Sequence, residues 1–285
     1  MADSPQIVSS PADLRAAVAH ARRGGKQIGV VPTMGALHVG HLSLVEACCR
    51  ESGFTIVTIF VNPTQFGPGE DYTRYPRTLE ADLKLLSSQR VDLVFMPGVE
   101  TMYPRGSATM IDVGPIAEPW EGAHRPGHFR GVATIVLKLF NLTAPDVAYF
   151  GQKDFQQTLV VQQMVRDLDV PVEIRICPTV REPDGLAMSS RNVYLSPTER
   201  NQALTLSQSL RLAESLVAAG EWQAQTILQQ MCERLNSSGG VDVQYVAIVD
   251  PTTLAPVAEI REPAVALIAA KVGATRLIDN TWLRP

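Results

Sequence analysis

Short β-branched runs alternate with helical patterns over the first part of the chain, and this alternation restricts the fold more than any other feature. Ile28–Val31, Thr55–Val61, Val91–Met96, Val147–Phe150 and Val172–Ile176 are apolar runs of strand length. Runs of this kind are buried on both faces, as in a parallel sheet, and parallel strands need long crossover connections that are usually helices. The intervening segments supply them. Leu42, Leu44, Val45 and Ala47 fit a core-facing stripe, Leu79, Leu83 and Leu86 recur at helical spacing, and residues 131–141 and 155–168 read as helices. The pattern predicts an α/β fold, a doubly wound parallel sheet of Rossmann-like type, over residues 1–182.

Residues 183–285 read differently. Ser196-Pro197-Thr198-Glu199 is a strong helix start, with Ser as N-cap, Pro at the first helical position and Glu three residues after the cap. That helix runs to about Gly220, a second continues to Leu235, and Asn236–Gly240 breaks it. Strands at Val241–Val249, Val265–Val272 and Arg276–Ile278 complete a smaller α+β carboxyl-terminal domain.

In a doubly wound sheet the loops at the carboxyl ends of the strands converge on one crevice. The segments that should meet there are His38–His41, Asn62–Phe66, Gly151–Asp154 and the loop after Ile176. His38 and His41 lie three apart in the first turn of a helix, where unpaired N–H groups and the helix dipole favour an anion. Imidazoles there add donors for a phosphate, and Gly40 leaves room for a flat base to approach the backbone. A zinc site is disfavoured, because the Glu of a His-Glu-x-x-His helix and any nearby Cys or His cluster are absent from the sequence. Gly151-Gln152-Lys153-Asp154 places a lysine beside a phosphate and an aspartate within reach of a ribose hydroxyl. Met188-Ser189-Ser190-Arg191-Asn192 brings two hydroxyls and a guanidinium suited to β- and γ-phosphates. Between Gly114 and Gly131 runs a long Pro- and Gly-rich loop with aromatic and basic residues, which reads as functional.

Composition sets the outer limits. The 285 residues suffice for one large domain and a smaller one, and a net charge of −4 offers no basic footprint for nucleic acid. Cys48, Cys49, Cys177 and Cys232 lack metal-ligand spacing and suit a reducing cytoplasm. Residues 1–5 show no basic flank or apolar run of a secretory signal, and no apolar run is long enough to span a bilayer. The expected setting is the cytoplasm, with neither membrane nor nucleic-acid partner.

Taken together, these motifs resemble the nucleotidylyltransferase superfamily, whose members carry a His-x-Gly-His motif and a later Lys-Met-Ser-Lys-Ser loop. The likeness is closer to one family within it. Pro32–His41, Phe60-Val61-Asn62-Pro63-Thr64-Gln65-Phe66, Arg125–Val132, Gly151–Gln157 and Asp184–Asn192 resemble the pantothenate synthetase family in order and spacing, over nearly the whole chain. The resemblance implies a nucleotidylyltransferase-type sheet and an ATP-dependent joining of pantoate to β-alanine through a pantoyl-adenylate, with release of AMP and pyrophosphate. It implies that Met34, Gly35, Ala36, Leu37, His38, Val39, Gly40 and His41 contact ATP, with His41 the catalytic histidine. Gly151, Gln152, Lys153, Asp154, Val180, Met188, Ser189, Ser190 and Arg191 would complete the ATP site. Gln65 and Gln157 would hold pantoate, Gln65 also lying near β-alanine, and a homodimer is implied. Gln152 departs from the family, which most often has Glu before the lysine.

The residue chemistry agrees with this. An attacking carboxylate must approach an anionic triphosphate, so the work is positioning plus cationic and hydrogen-bond stabilisation of spreading charge. His38, His41, Lys153, Ser189, Ser190 and Arg191 suit that work, Asn62 is placed to assist the two glutamines, and Arg130 is placed to meet a carboxylate. Magnesium is expected with the triphosphate, held mostly by phosphate and water, and its protein ligands are unassigned. The carboxyl-terminal domain, carrying the Met-Ser-Ser-Arg loop, is expected to act as a lid. Rival readings are a cytidylyl- or adenylyltransferase that keeps the nucleotide in its product, a silent ATP-binding sensor, and a tRNA-charging fragment.

Overall fold

A computed structural model describes residues 5–285, so the amino-terminal reading lies largely outside the described residues. Six strands form one parallel sheet: β1 (Gln6–Val8), β2 (Ile28–Thr33), β3 (Phe54–Ile59), β4 (Leu93–Phe95), β5 (Val147–Gly151) and β6 (Glu173–Cys177), in the order β1-β4-β3-β2-β5-β6. The central strand β2 reads Ile-Gly-Val-Val-Pro-Thr and is buried along nearly all its length, as a strand covered on both faces must be. Its alternate side chains serve two cores. Val30, Ile56, Phe95 and Phe150 pack with α1 (Pro11–Arg23), α6 (His128–Thr143) and α7 (Phe155–Asp167), while Val31, Val57, Val94 and Tyr149 pack with α2 (Val39–Glu51) and Leu86 of α3 (Leu79–Ser87).

Strand order reverses between β2 and β5, with β3 and β4 stacking to one side and β6 to the other. Ligand crevices in open α/β sheets form outside the carboxyl ends of the strands at such a reversal. The turns after β3, β2 and β5 are therefore neighbours along one edge, and these carry Gln65, His38–His41 and Gly151–Gln152 with Gln157.

The smaller unit has an antiparallel sheet of β7 (Val241–Val249), β8 (Ala264–Val272) and β9 (Thr275–Leu283), in that order. Leu277 and Leu283 of β9 pack with Leu206 and Leu210 of α8 (Pro197–Ala218) and Ile227 and Met231 of α9 (Ala224–Asn236). The predicted capping box opens α8: Glu199 N–H donates to Ser196 Oγ at 3.3 Å, and Ser196 N–H to Glu199 Oε2 at 2.8 Å.

The chain divides into two compact units. One takes the chain up to Glu118 with Arg125–Gln152 and Gln156–Pro178, and the other takes Thr179–Pro285 with two excursions, Pro119–His124 and Lys153–Phe155. A single boundary drawn along the sequence does not capture these excursions. Part of the long Gly114–Gly131 loop is accounted for by the first of them. It carries α5 (Glu121–His124), held by a Trp120 indole N–H on Leu254 O at 3.0 Å and by buried Glu121, which pairs with Arg276 at 2.6 and 2.8 Å. β1 and α1 were not read from the sequence. A three-residue edge strand carries little pattern, although Ser10 at the N-cap, Pro11, and Asp13 donating N–H to Ser10 Oγ at 3.1 Å are local start signals for α1.

Candidate active site

The turn between β2 and α2 is held from beneath. Gly35 and Ala36 both have positive φ, 82° and 51°, which a glycine takes freely and an alanine only when its surroundings impose it. Buried Asp82 of α3 imposes it, accepting Ala36 N–H at 2.9 Å, Leu37 N–H at 2.8 Å and the Thr78 hydroxyl at 3.0 Å. Thr33 adds a further tie, its hydroxyl accepting Gly35 N–H at 3.2 Å and donating to Thr58 O at 2.6 Å. Replacing Asp82 by Ala strands two backbone donors, each worth about 1–3 kcal/mol when left unpaired. Asp82→Ala is thus expected to lower urea-unfolding stability by a few kcal/mol and to depress kcat, while an unchanged midpoint and rate would show that the turn holds itself.

His38 is the N-cap of α2, with extended backbone, and His41 stands at the third helical position. The rings lie against each other with centroids 4.0 Å apart and planes tilted by 33°. The His38 N–H donates to His41 Nδ1 at 3.4 Å, so Nδ1 is the acceptor and this bond requires the Nε2–H tautomer. Capping in this way converts a ring nitrogen into structure and makes the other a donor at a helix N-terminus. Val39, between the two histidines, is 60% exposed.

After β3 comes a short 3-10 turn, Pro63–Gln65, capped by Asn62. Asn62 is buried, and its amide is committed within the protein. Its Nδ2 donates to Gln65 Oε1 at 3.0 Å and Gly131 O at 3.1 Å, and its Oδ1 accepts the Tyr103 phenol at 2.8 Å and the Thr64 hydroxyl at 3.0 Å. Burial raises the pKa of that phenol above its ordinary value despite its bonds to Thr64 and Asn62, so it stays a neutral donor. Gln65 Nε2 lies 3.0 Å from Met34 Sδ, which ties the turn after β3 to the turn after β2.

A second network grips the Gln65 backbone. Its carbonyl accepts from His128 Nδ1 at 2.8 Å and Arg125 Nη2 at 3.2 Å, while Arg125 forks onto Glu70 at 2.8 and 2.7 Å. Burial opposes the charge on Glu70, but the hydrogen bonds and charge of Arg125 outweigh it and hold that carboxyl below its ordinary pKa. At Gly131 a Cβ would lie 2.2 Å from Thr64 O, so α6 can reach this turn only without a side chain there.

Gln157 is half-buried in the first turn of α7, and Arg130 is exposed in the first turn of α6. Within the smaller unit, Lys153 and Asp154 form a loose pair with Nζ 3.8 Å from Oδ1. Val180 and Met188 close a hairpin through Met188 N–H to Val180 O at 3.0 Å. Its exit carries Ser189, which caps the 3-10 turn Ser190–Tyr194 by accepting Arg191 N–H at 3.2 Å. Asn192 braces the hairpin, donating to Glu182 Oε1 at 2.7 Å and Ala187 O at 3.0 Å.

The predicted residues thus fall into groups. Met34, His38, His41 and Gln65 come together along the carboxyl edge of neighbouring strands, and Gly151, Gln152 and Gln157 follow the strand beside them. Asn62 lies under the Gln65 turn. Asp82, Arg125 and His128 were missed as site residues. Asp82 left a trace, being a carboxylate three after Leu79 and four before Leu86, on the helical stripe that buries Leu86.

Comparison with known proteins agrees with the topology and the order of motifs. The sequence model of the pantoate-beta-alanine ligase family matches residues 6–282. A pantothenate synthetase of Thermoanaerobacter sp. (strain X514) is 55% identical over 274 residues, 96% of this chain and 97% of that protein. One from Roseiflexus sp. (strain RS-1) is 54% identical over 98% of this chain and 99% of its own. Among solved structures, the pantothenate synthetase of Thermus thermophilus superposes with a TM-score of 0.94 at 50% identity, covering 98% of this chain and 100% of that one. The pantoate-beta-alanine ligase of Francisella tularensis, complexed with beta-gamma ATP and beta-alanine, gives a TM-score of 0.82 at 35% identity over 97% of each chain. With the match extending from the first strand into the last, the chain belongs to the pantoate–β-alanine ligase family.

Proposed function

We propose that this ligase condenses (R)-pantoate with β-alanine at the expense of ATP, through a pantoyl-adenylate. The observation that carries the reading is the His38–His41 pair at the start of α2. Its bonded Nδ1 makes the His41 Nε2–H a donor at a helix N-terminus, beside the strand-order reversal. A pantoate carboxylate oxygen attacks the α-phosphorus, the α–β bridging bond breaks, and pyrophosphate departs. The β-alanine amine then attacks the acyl carbon, AMP leaves with its new oxygen, and the amine proton passes to solvent or phosphate.

In this reading His38 and His41 donate to phosphate oxygens as charge spreads, and Lys153, Ser189, Ser190 and Arg191 serve the β- and γ-phosphates. Met34–Leu37, Val39, Gly40, Gly151, Gln152, Asp154, Val180 and Met188 line the nucleotide. Gln65 and Gln157 orient pantoate as neutral amides, which bond a carboxylate without neutralising the nucleophile. Asn62 acts through Gln65, and exposed Arg130 is the remaining candidate for a substrate carboxylate. Among the described residues no cluster of three or more His, Cys, Asp or Glu side chains could hold a metal. Magnesium, in this reading, would arrive with the triphosphate on phosphate oxygens and water. No helix among the described residues is long and apolar enough to cross a membrane. A cytoplasmic homodimer is proposed on the family resemblance alone.

The test is the fate of oxygen. Pantoate carrying heavy oxygen in its carboxylate should pass one labelled atom to AMP as pantothenate forms, and pyrophosphate should appear before β-alanine is added. Label in inorganic phosphate, with ADP as co-product, would replace the adenylate by an acyl phosphate. A nucleotide retained in the final product would make the chain a nucleotidyltransferase.

A further inference from the structure

The smaller unit contains a device that the nucleotide motifs alone do not explain. Its sheet has two faces, and β9 addresses both because successive side chains point to opposite sides. Leu277, Asp279, Thr281 and Leu283 share the face on which α8 and α9 pack, and Thr281 bonds Glu214 of α8 there. Arg276, Asn280 and Trp282 share the other. On that face Arg276 holds Glu121, Trp282 meets Phe155 edge-to-face at 5.9 Å, and Asn280 Nδ2 donates to the Lys153 carbonyl at 2.8 Å. The excursion Lys153–Phe155 is thus fastened at its first and last residues by side chains two apart on one strand.

The strand is braced at the same point. Asp279, 3% exposed, forks onto Arg181 at 2.7 and 3.0 Å and accepts the Asn280 N–H at 2.8 Å. Arg181 returns a bond to Gly185 O at 3.2 Å inside the Val180–Met188 hairpin. Asn280 is equally buried, at 3%. A buried side-chain amide that donates to a backbone carbonyl of a three-residue 3-10 turn fixes that turn against rotation, and with it the root of the lysine stem. A flexible four-carbon stem places its charge only as well as its root is held.

We propose that Asn280 is a positioning residue for Lys153, braced by the Asp279–Arg181 pair. This inference rests on the role given to Lys153 above. In this proposal Asn280 acts through the lysine rather than on substrate, a distinction that a double-mutant cycle isolates. In the full-length enzyme Asn280→Ala should lower kcat ten- to a hundredfold with the KM for pantoate unchanged, and in a Lys153→Ala background it should cause no further loss. Should Asn280→Ala fail to fold, the same cycle is run with Asn280→Ser. Equal losses in both backgrounds, or no loss in the wild-type background while Lys153→Ala is impaired, would overturn the positioning role. A fully active Lys153→Ala enzyme would instead remove the reading of Lys153 and the inference with it.

Discussion

Replacing His41 by Ala should cost a hundred- to a thousandfold in the rate of adenylate formation while leaving the protein folded. The loss of one donor to developing transition-state charge is worth about 3–4 kcal/mol. The structural cost is smaller, since the ring gives up a long bond, the acceptor for His38 N–H at 3.4 Å, and a lost cap costs about 1 kcal/mol. Two conservative variants separate these contributions. In His41→Asn the side-chain oxygen can replace Nδ1 as cap but no donor reaches the Nε2 position, so the protein should be stable and inactive. In His41→Gln the amide nitrogen extends to the Nε2 position and the cap is lost, so activity should return in part as stability falls. Pyrophosphate release in a single turnover reads the first quantity and thermal unfolding the second. Near-normal turnover in His41→Ala would move the catalytic role elsewhere.

Gly131→Ala should destabilise the protein, which is the opposite of what helix propensity alone predicts. Gly131 lies inside α6, where Ala is favoured over Gly by about 1 kcal/mol. Its new methyl, however, would stand 2.2 Å from Thr64 O, 2.5 Å from Thr64 C and 2.7 Å from Gln65 N, all backbone atoms that no rotamer change can clear. Either α6 withdraws or the Asn62–Gln65 turn shifts, and overpacking of this kind costs about 1–3 kcal/mol. A fall in melting temperature of several degrees is expected, since each kcal/mol moves a domain of this size by roughly 2–4 °C. The KM for pantoate should rise in parallel, because the displaced turn carries the proposed pantoate ligand Gln65 and the amide of Asn62 that holds it. A stabilised variant with unchanged kinetics would mean that the contact relaxes freely.

These two positions mark the limit of what a linear reading reaches. His41 was legible because its signal is local: a strand, a turn with glycines and a helix start lie within a few residues of it. Gly131 sat inside a recognised motif, but its reason for being glycine is a backbone from another loop. The long Gly114–Gly131 loop shows the same division. Its aromatic and basic residues marked it as more than a linker, yet Trp120 and Glu121 turn out to be anchors to Leu254 and Arg276, while Arg125 and His128 brace Gln65.

Strand runs, helix caps and the order of the nucleotide motifs follow from interactions between residues a few positions apart, so the α/β class, the capping box of α8 and the His38–His41 pair were readable from the chain alone. What holds the candidate site residues in place was not. Asp82 reaches Ala36 across 46 residues, His128 reaches Gln65 across 63, and Asn280 reaches Lys153 across 127. No local pattern encodes such pairings, because a buried carboxylate or amide finds its partners only when the path of the whole chain has closed the space around it. The same closure takes those side chains out of bulk water, which strengthens their grip on the site turns.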